Sequence, residues 1–324
     1  MGELIEHTIF SVQSQTHQPE KIIVVDDGST DNGPALVATL AATDTRILLL
    51  SGPNQGLSKA RNKGIAAASA PYIAFLDSDD MWKPDKLERQ VACLLANPTA
   101  SFVHCGAEFI DEDGQPHPAM KELHPLGQPD FDAIRLGDYA ITGSASAVVA
   151  RRDLLLQIEG FSLPLRRGED WEVWARLAEL GPVFAVDATL TQIRMNRKSA
   201  MRGIGALEAA KSRVLSRAAV AERWKDDAAF MRANRKRLRK EAWYVARWLL
   251  WKPMALANFY REMRDQPTAL AQGLFSGVWD FAGFLCAGLG RTALELLRPG
   301  EAVRLLGRWR EERGHSSVSS RKRG

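Results

Sequence analysis

The residues of this chain best suited to chemistry are three clusters of carboxylates. Asp26-Asp27-Gly28-Ser29 directly follows the apolar run Ile22-Ile23-Val24-Val25. Asp77-Ser78-Asp79-Asp80 directly follows Tyr72 to Leu76, and Glu169-Asp170 stands after Gly168 at the head of a helical pattern. Anions packed together are unfavourable unless a cation or positive groups offset them. A Mg²⁺ or Mn²⁺ carrying a diphosphate supplies that charge, because such ions commonly take one or two carboxylates plus phosphate oxygens. In Asp77-x-Asp79, alternate side chains at a strand end point the same way, so one carboxylate can reach a metal while the other bonds a ribose. A plainer reading stays open beside this one. Asp-Ser-Asp-Asp also suits a helix N-cap or a solvated turn, and Glu169-Asp170 suits ordinary negative charge at a helix start.

The elements that must position these groups alternate. Helical spacing covers 3–14, 33–42, 58–68, 86–95 and 170–180, with Pro84 opening the fourth. Apolar or β-branched runs at 22–25, 47–50, 72–76, 101–110, 145–150 and 183–186 read as strands. Residues 111–142, rich in Pro, Gly, Asp and His, read as a long loop near the site. Such alternation predicts an α/β domain with a largely parallel sheet. Ligands of open parallel sheets bind outside the carboxyl ends of the strands, which puts the first two clusters on one rim.

Four stretches in register carry a family resemblance: VVDDGSTD at 24–31, NQGLSKARNKGI at 54–65, FLDSDDMWKPDKL at 75–87 and RRGEDWEVWARLAELG at 166–181. They resemble the inverting family-2 nucleotide-sugar glycosyltransferases of GT-A fold, over about residues 3–196. The resemblance implies a GT-A-like α/β domain with a mostly parallel sheet flanked by helices. It also implies inverting transfer of a sugar from a nucleoside-diphosphate donor, a UDP-sugar, to an acceptor hydroxyl. Asp27 would accept a hydrogen bond from the base, with Asp26 beside it; Asp77 would contact the ribose; Asp79 would ligate Mg²⁺ or Mn²⁺; Asp80 would stand behind them. Asn54 and Arg61 fall in the donor-binding block, where Arg61 either offsets the anions, touches the nucleotide or is a surface residue. Asp170 would be the general base that takes the acceptor's proton. Trp82 reads as core, and Trp171 and Trp174 as either acceptor pocket or core.

Two departures accompany the resemblance. Ile193-Arg194-Met195-Asn196 stands where the family often has a Tyr-Arg-x-His-like element, with asparagine in the place of histidine. The family's opening strand is also missing: the chain begins inside the following helix, so an unpaired inner edge is expected beside residues 22–26, and a natural start upstream of Met1. That absence supports an alternative function, a non-catalytic nucleotide-sugar-binding or assembly protein, whereas Asp79 and Asp170 support the enzyme.

Charge divides the chain. Residues 1–204 hold 19 Lys+Arg and 27 Asp+Glu, whereas residues 205–324 hold 24 and 12, together with six of the nine tryptophans. The expected organisation is therefore a GT-A-like domain over 1–204 and a basic, Trp-rich helical extension over 205–324, with a disordered tail from His315. The run RANRKRLRK at 232–240, followed by Trp243, Trp248 and Trp251, suits peripheral contact with an anionic membrane; a soluble appendage with a solvated basic face is the plainer option. Residues 268–290 are marginal as a span because Asp280 is central and glycines interrupt the pattern. Nucleic acid is not an expected partner, since no reading module accompanies the charge. Cys93, Cys105 and Cys286 are too few and scattered for a disulfide framework or a structural zinc site. With nothing like a signal peptide, the expected place is the cytoplasm, at the inner face of the membrane, acting on a lipid-linked or saccharide acceptor in surface polysaccharide or glycolipid assembly.

Overall fold

The computed structural model describes residues 2–118, 120, 122–125, 127, 129–137, 141, 144–162, 168–195, 216–217 and 220–237. The expected 204/205 boundary, Asn196, Cys286, the stretch 268–290 and the tail from His315 lie outside these residues. Contacts divide the chain between Lys236 and Arg237, and the elements below belong to the first unit.

The order is α1 (Gly2–Gln13), β1 (Ile22–Asp26), α2 (Gly33–Ala41), β2 (Ile47–Ser51), α3 (Leu57–Ala67), β3 (Tyr72–Ala74), β4 (Met81–Trp82), α4 (Lys86–Ala96), β5 (Phe102–Ile110), α5 (Phe131–Arg135), β6 (Val148–Arg151), α6 (Arg152–Gln157), α7 (Glu169–Leu180) and β7 (Val183–Arg194). The first strands are the β-branched and leucine runs, and α4 carries its apolar residues Leu87 and Leu94 on one buried face with Lys86 and Gln90. Alternation along β5 and β6 splits the interior into two cores. Phe102 and Val148 join Phe75, Phe161, Trp174 and Leu177 on one side, while Val103 and Val149 join Ile9, Val37, Trp82 and Leu94 on the other.

The α/β class holds, but the pairing is more mixed than expected. β1 and β2 are parallel and form a sheet of their own, and the second sheet runs β3-β6-β5-β7-β4. Within it only β5 and β7 are parallel; β3 with β6, β5 with β6 and β4 with β7 are antiparallel. For β5 and β6 the physical reason lies in their connection, which among the described residues holds the short α5 and one 3₁₀ turn, Ala145–Ala147, and no long crossover helix of the kind parallel neighbours require.

The expected unpaired edge beside residues 22–26 is present. Among the described residues β1 pairs with β2 alone and β3 with β6 alone. Ile22 N–H donates to Arg46 O at 2.9 Å, so the alternating ladder turns the amides of Ile23 and Val25 away from β2. Apart from Ile22, every residue of β1 and β3 is only half-buried.

Lys86 is a buried cation in the second core. Its side chain is 0% exposed, and Nζ lies 4.2 Å over the Trp82 ring with no hydrogen-bond partner among the described residues. Burial lowers its pKa from 10.5 to about 8. Above pH 10.5 the residue is neutral folded or unfolded and costs nothing. As pH falls from there toward 8, only the unfolded chain takes up the proton, so stability is lost across that window and the deficit is constant below it. Lys86→Met is therefore expected to raise stability at pH 7 by up to about 3 kcal/mol and to have little effect near pH 11, as read from urea unfolding at the two pH values.

Candidate functional site

One side of the candidate site is built where β1 ends. Asp26 Oδ1 accepts from Ser29 N at 2.8 Å. Partial burial pushes this carboxyl up, but the hydrogen bonds from Ser29 and Ser51 outweigh it and leave Asp26 below the ordinary carboxylate value. Asp27 accepts from Gln55 N through Oδ1 and from Gly56 N through Oδ2, each at 2.8 Å. It thereby braces the turn that opens α3, and spare lone pairs on each oxygen remain able to accept from a ligand. Asn54 is exposed on that turn. Gly28, at φ +83, packs so closely that a Cβ would stand 2.7 Å from Asn54 N, so only glycine fits between the two loops.

The loop that follows β3 is clamped from several directions. Asp77 N–H donates to Ser146 Oγ at 3.0 Å, and Ser146 Oγ donates to Asp80 Oδ2 at 2.6 Å. Arg194 N donates to Asp80 Oδ1 at 3.0 Å and its Nε to Asp79 O at 3.1 Å. Thr8 Oγ1 on α1 donates to Asp80 O at 2.8 Å. Asp80 is buried, as its expected place behind Asp77 and Asp79 requires. Burial, then the neighbouring Asp77 charge, pushes its carboxyl up to about 8 against the opposing hydrogen bond from Ser146. Arg194 also donates through Nη1 to Asp111 O and Glu112 O at 2.9 and 2.8 Å, so it is spent on backbone carbonyls of two loops.

The other side is the start of α7. Gly168 adopts φ +70, and a Cβ there would overlap Ser216. Glu169 is buried and Asp170 half-buried, with Asp170 Oδ1 accepting from Trp171 N at 2.7 Å. Burial, then Asp170, raises the Glu169 pKa, and Arg61 resists the shift. Trp171 Nε1 donates to Ile134 O at 2.6 Å. Trp174 is core, its ring 5.7 Å from Phe75 and 5.4 Å from Phe102. Trp82 is core as well, with Nε1 donating to Ser146 O at 2.8 Å.

Arg61 joins the two sides. Nη2 donates to Asp77 Oδ1 and Nη1 to Glu169 Oε1, each at 2.9 Å. Burial works to lower its pKa; Asp77 and Glu169, with help from Asp170, overcome this and raise it. Carboxylates from the β3 loop and the α7 start thus meet around one guanidinium, which is neither on the open surface nor unengaged.

The sequence gives no sign of Ser146, which falls inside the run 145–150 that reads as a strand, or of Ser144, which donates to Asp80 Oδ2 at 3.3 Å. Ser216 and Arg217 also lie beside the start of α7. Arg217 Nη1 donates to Leu136 O at 3.0 Å, and its guanidinium lies 5.2 Å from the Trp171 ring centroid. A separate hollow of about 260 Å³ beside α1, lined by His7, Phe10, Met81 and Pro84 among others, has none of the three carboxylate clusters on its wall.

The donor set fits a hard divalent cation. Asp77 and Asp79 supply carboxylate oxygens, the donors that such ions take, and their charges add to the burial that raises Asp80. Among the described residues no three His, Cys, Asp or Glu side chains form a ready cage, and an ion that completes its shell with phosphate oxygens and water needs none.

Comparison with known proteins gives the family and the fold. The family model "Glycosyl transferase family 2" matches residues 2–156. A putative teichuronic acid biosynthesis glycosyltransferase of Bacillus subtilis, TuaG, is 31% identical over 201 residues, covering 61% of this chain and 76% of that protein. An Escherichia coli UDP-Glc:alpha-D-GlcNAc-diphosphoundecaprenol beta-1,3-glucosyltransferase, WfgD, is 41% identical over 113 residues, 33% of this chain and 44% of that one. The chain spans only 30%, 30%, 26% and 52% of the length of four further curated glycosyltransferases. Among solved structures, a mannosyltransferase from Pyrobaculum calidifontis in complex with GDP-Man and Mn²⁺ superposes with a TM-score of 0.53 at 16% identity, over 86% of this chain and 83% of that chain.

Proposed function

The chain belongs to glycosyl transferase family 2 and has a GT-A-like fold, and from that premise we propose that it transfers a sugar from a UDP-sugar to an acceptor hydroxyl with inversion. The observation that carries the reading is the single guanidinium of Arg61 bonded to Asp77 and Glu169, which brings a nucleotide-side carboxylate and the helix start bearing Asp170 to one place. Asp27 with Asp26 would receive the base, Asn54 would lie along the donor, and Asp77 would bond the ribose. Asp79 would hold Mg²⁺ or Mn²⁺; the mannosyltransferase of the same fold is bound to Mn²⁺. When bound, that ion offsets the charge that develops on the departing diphosphate.

Asp170 would take the proton of the acceptor hydroxyl as its oxygen attacks the anomeric carbon from the face opposite the leaving group. One displacement inverts the centre, so no second carboxylate is needed to hold the sugar covalently. Uridine as the base is supported by the UDP-glucose donor of the Escherichia coli relative, and a lipid-linked acceptor by its diphosphoundecaprenol substrate. Residues 205–324, with their excess of Lys+Arg, are the candidate contact with an anionic membrane face where such an acceptor would lie. Among the described residues no helix is long and apolar enough to cross a membrane.

The test is donor turnover without acceptor. The full chain is expected to release UDP from UDP-glucose or UDP-N-acetylglucosamine slowly, and only with Mn²⁺ or Mg²⁺ present. UDP binding with no release from any nucleotide sugar would overturn the enzyme and favour a non-catalytic nucleotide-sugar-binding protein.

A further inference from the structure

The first turn of a helix has no preceding turn to hold it, so its direction depends on side-chain anchors. Here the residue before α7 is Gly168 in the left-handed region, a backbone that constrains the entry little. Glu169 is the anchor. Its carboxylate is 8% exposed and bonded to Arg61, whose own side chain is 10% exposed and lies with its guanidinium 5.1 Å from the centre of the Phe161 ring. The other end of the same guanidinium holds Asp77. Successive helix residues are turned about 100° from each other, so fixing Glu169 inward also fixes where Asp170 points.

We propose that Glu169 is a positioning residue: by gripping Arg61 it sets the first turn of α7, and with it the carboxylate of Asp170, against the Asp77 loop. The inference rests on the glycosyltransferase reading for its effect on turnover, but its structural half stands apart from that reading. Glu169 is buried and its carboxylate is committed to Arg61, so its effect on turnover would be indirect. A base misplaced by about 1 Å can lose on the order of 100-fold in rate, and that is the loss Glu169 prevents.

The experiment uses the full chain with two substitutions, Glu169→Ala and Glu169→Gln. The glutamine keeps the volume and an oxygen that accepts from Arg61. Mass-spectrometric amide exchange reads the anchor without any need for activity. Glu172 N–H, which donates to Gly168 O at 3.0 Å, is expected to exchange at least 10-fold faster in Glu169→Ala and close to the wild-type rate in Glu169→Gln. Turnover reads the consequence: kcat for UDP release should fall about 10–100-fold in Glu169→Ala and recover largely in Glu169→Gln. The Kd for UDP with Mn²⁺ should stay within about 2-fold of wild type in both. Unchanged exchange in a folded Glu169→Ala protein overturns the proposal, as does a loss of UDP affinity that matches the loss of kcat. A wild-type chain that releases no UDP overturns the proposed function instead, and leaves the exchange result to decide the anchor.

Discussion

Asp170→Asn is expected to lose roughly 10²–10⁴-fold of the transfer rate, the share that a positioned general base contributes, while UDP binds with Mn²⁺ as tightly as to the wild-type chain. The amide is nearly isosteric, and its oxygen can still accept from Trp171 N, as Asp170 Oδ1 does at 2.7 Å. The start of α7 therefore keeps its shape. What the amide cannot do is take a proton. Glu169 cannot stand in, because its carboxylate is buried and committed to Arg61. Donor affinity is spared because the groups assigned to the nucleotide, Asp27 and Asp77, belong to other loops. Calorimetry with UDP and Mn²⁺ and steady-state transfer on the same preparation check both halves. Retained transfer would remove Asp170 from the base role, and a parallel loss of UDP binding would move it to the donor side.

Much of the frame was legible because it rests on local pattern. The runs at 22–25 and 47–50 are strands since β-branched and leucine residues stack well there, and α4 shows its face through Leu87, Gln90 and Leu94. Asp77 and Asp79 were found because a strand that stops at acidic residues is a local signal. Other parts are set by partners far along the chain. β4 is two residues that count as a strand only because Gln192 and Thr191 pair with them. β7 runs on to Arg194, well past the apolar run at 183–186, because β5 continues beside it. Ser146 matters through Asp77 and Asp80, 69 and 66 residues away, and no spacing rule joins such positions. Arg61 was ambiguous between a helix surface and the nucleotide; contacts with Asp77 and Glu169, the latter 108 residues away, place it between two carboxylates.

Asp79→Ala is expected to weaken UDP binding in the presence of Mn²⁺ by at least about 10–100-fold, the range seen when even the supports of a metal site are removed, and to leave metal-free UDP binding unchanged. The three carboxylates of the loop have different engagements, and these decide which one can meet a cation. Asp80 is buried and bonded to Ser146, Ser144 and the amide of Arg194, so its oxygens are already committed. Asp77 has one oxygen on Arg61, which leaves the other for a neutral hydroxyl such as that of a ribose. Asp79 is half-buried between them, and the loop is anchored there by its backbone: Asp79 O accepts from Arg194 Nε at 3.1 Å. Alanine keeps that carbonyl, so the backbone clamp from Arg194 should persist while the carboxylate is lost. Calorimetric titration with UDP, with and without Mn²⁺, separates the cases. An unchanged affinity in Mn²⁺ would take the metal away from Asp79, and an equal loss with and without metal would mean that the substitution had disturbed the loop itself.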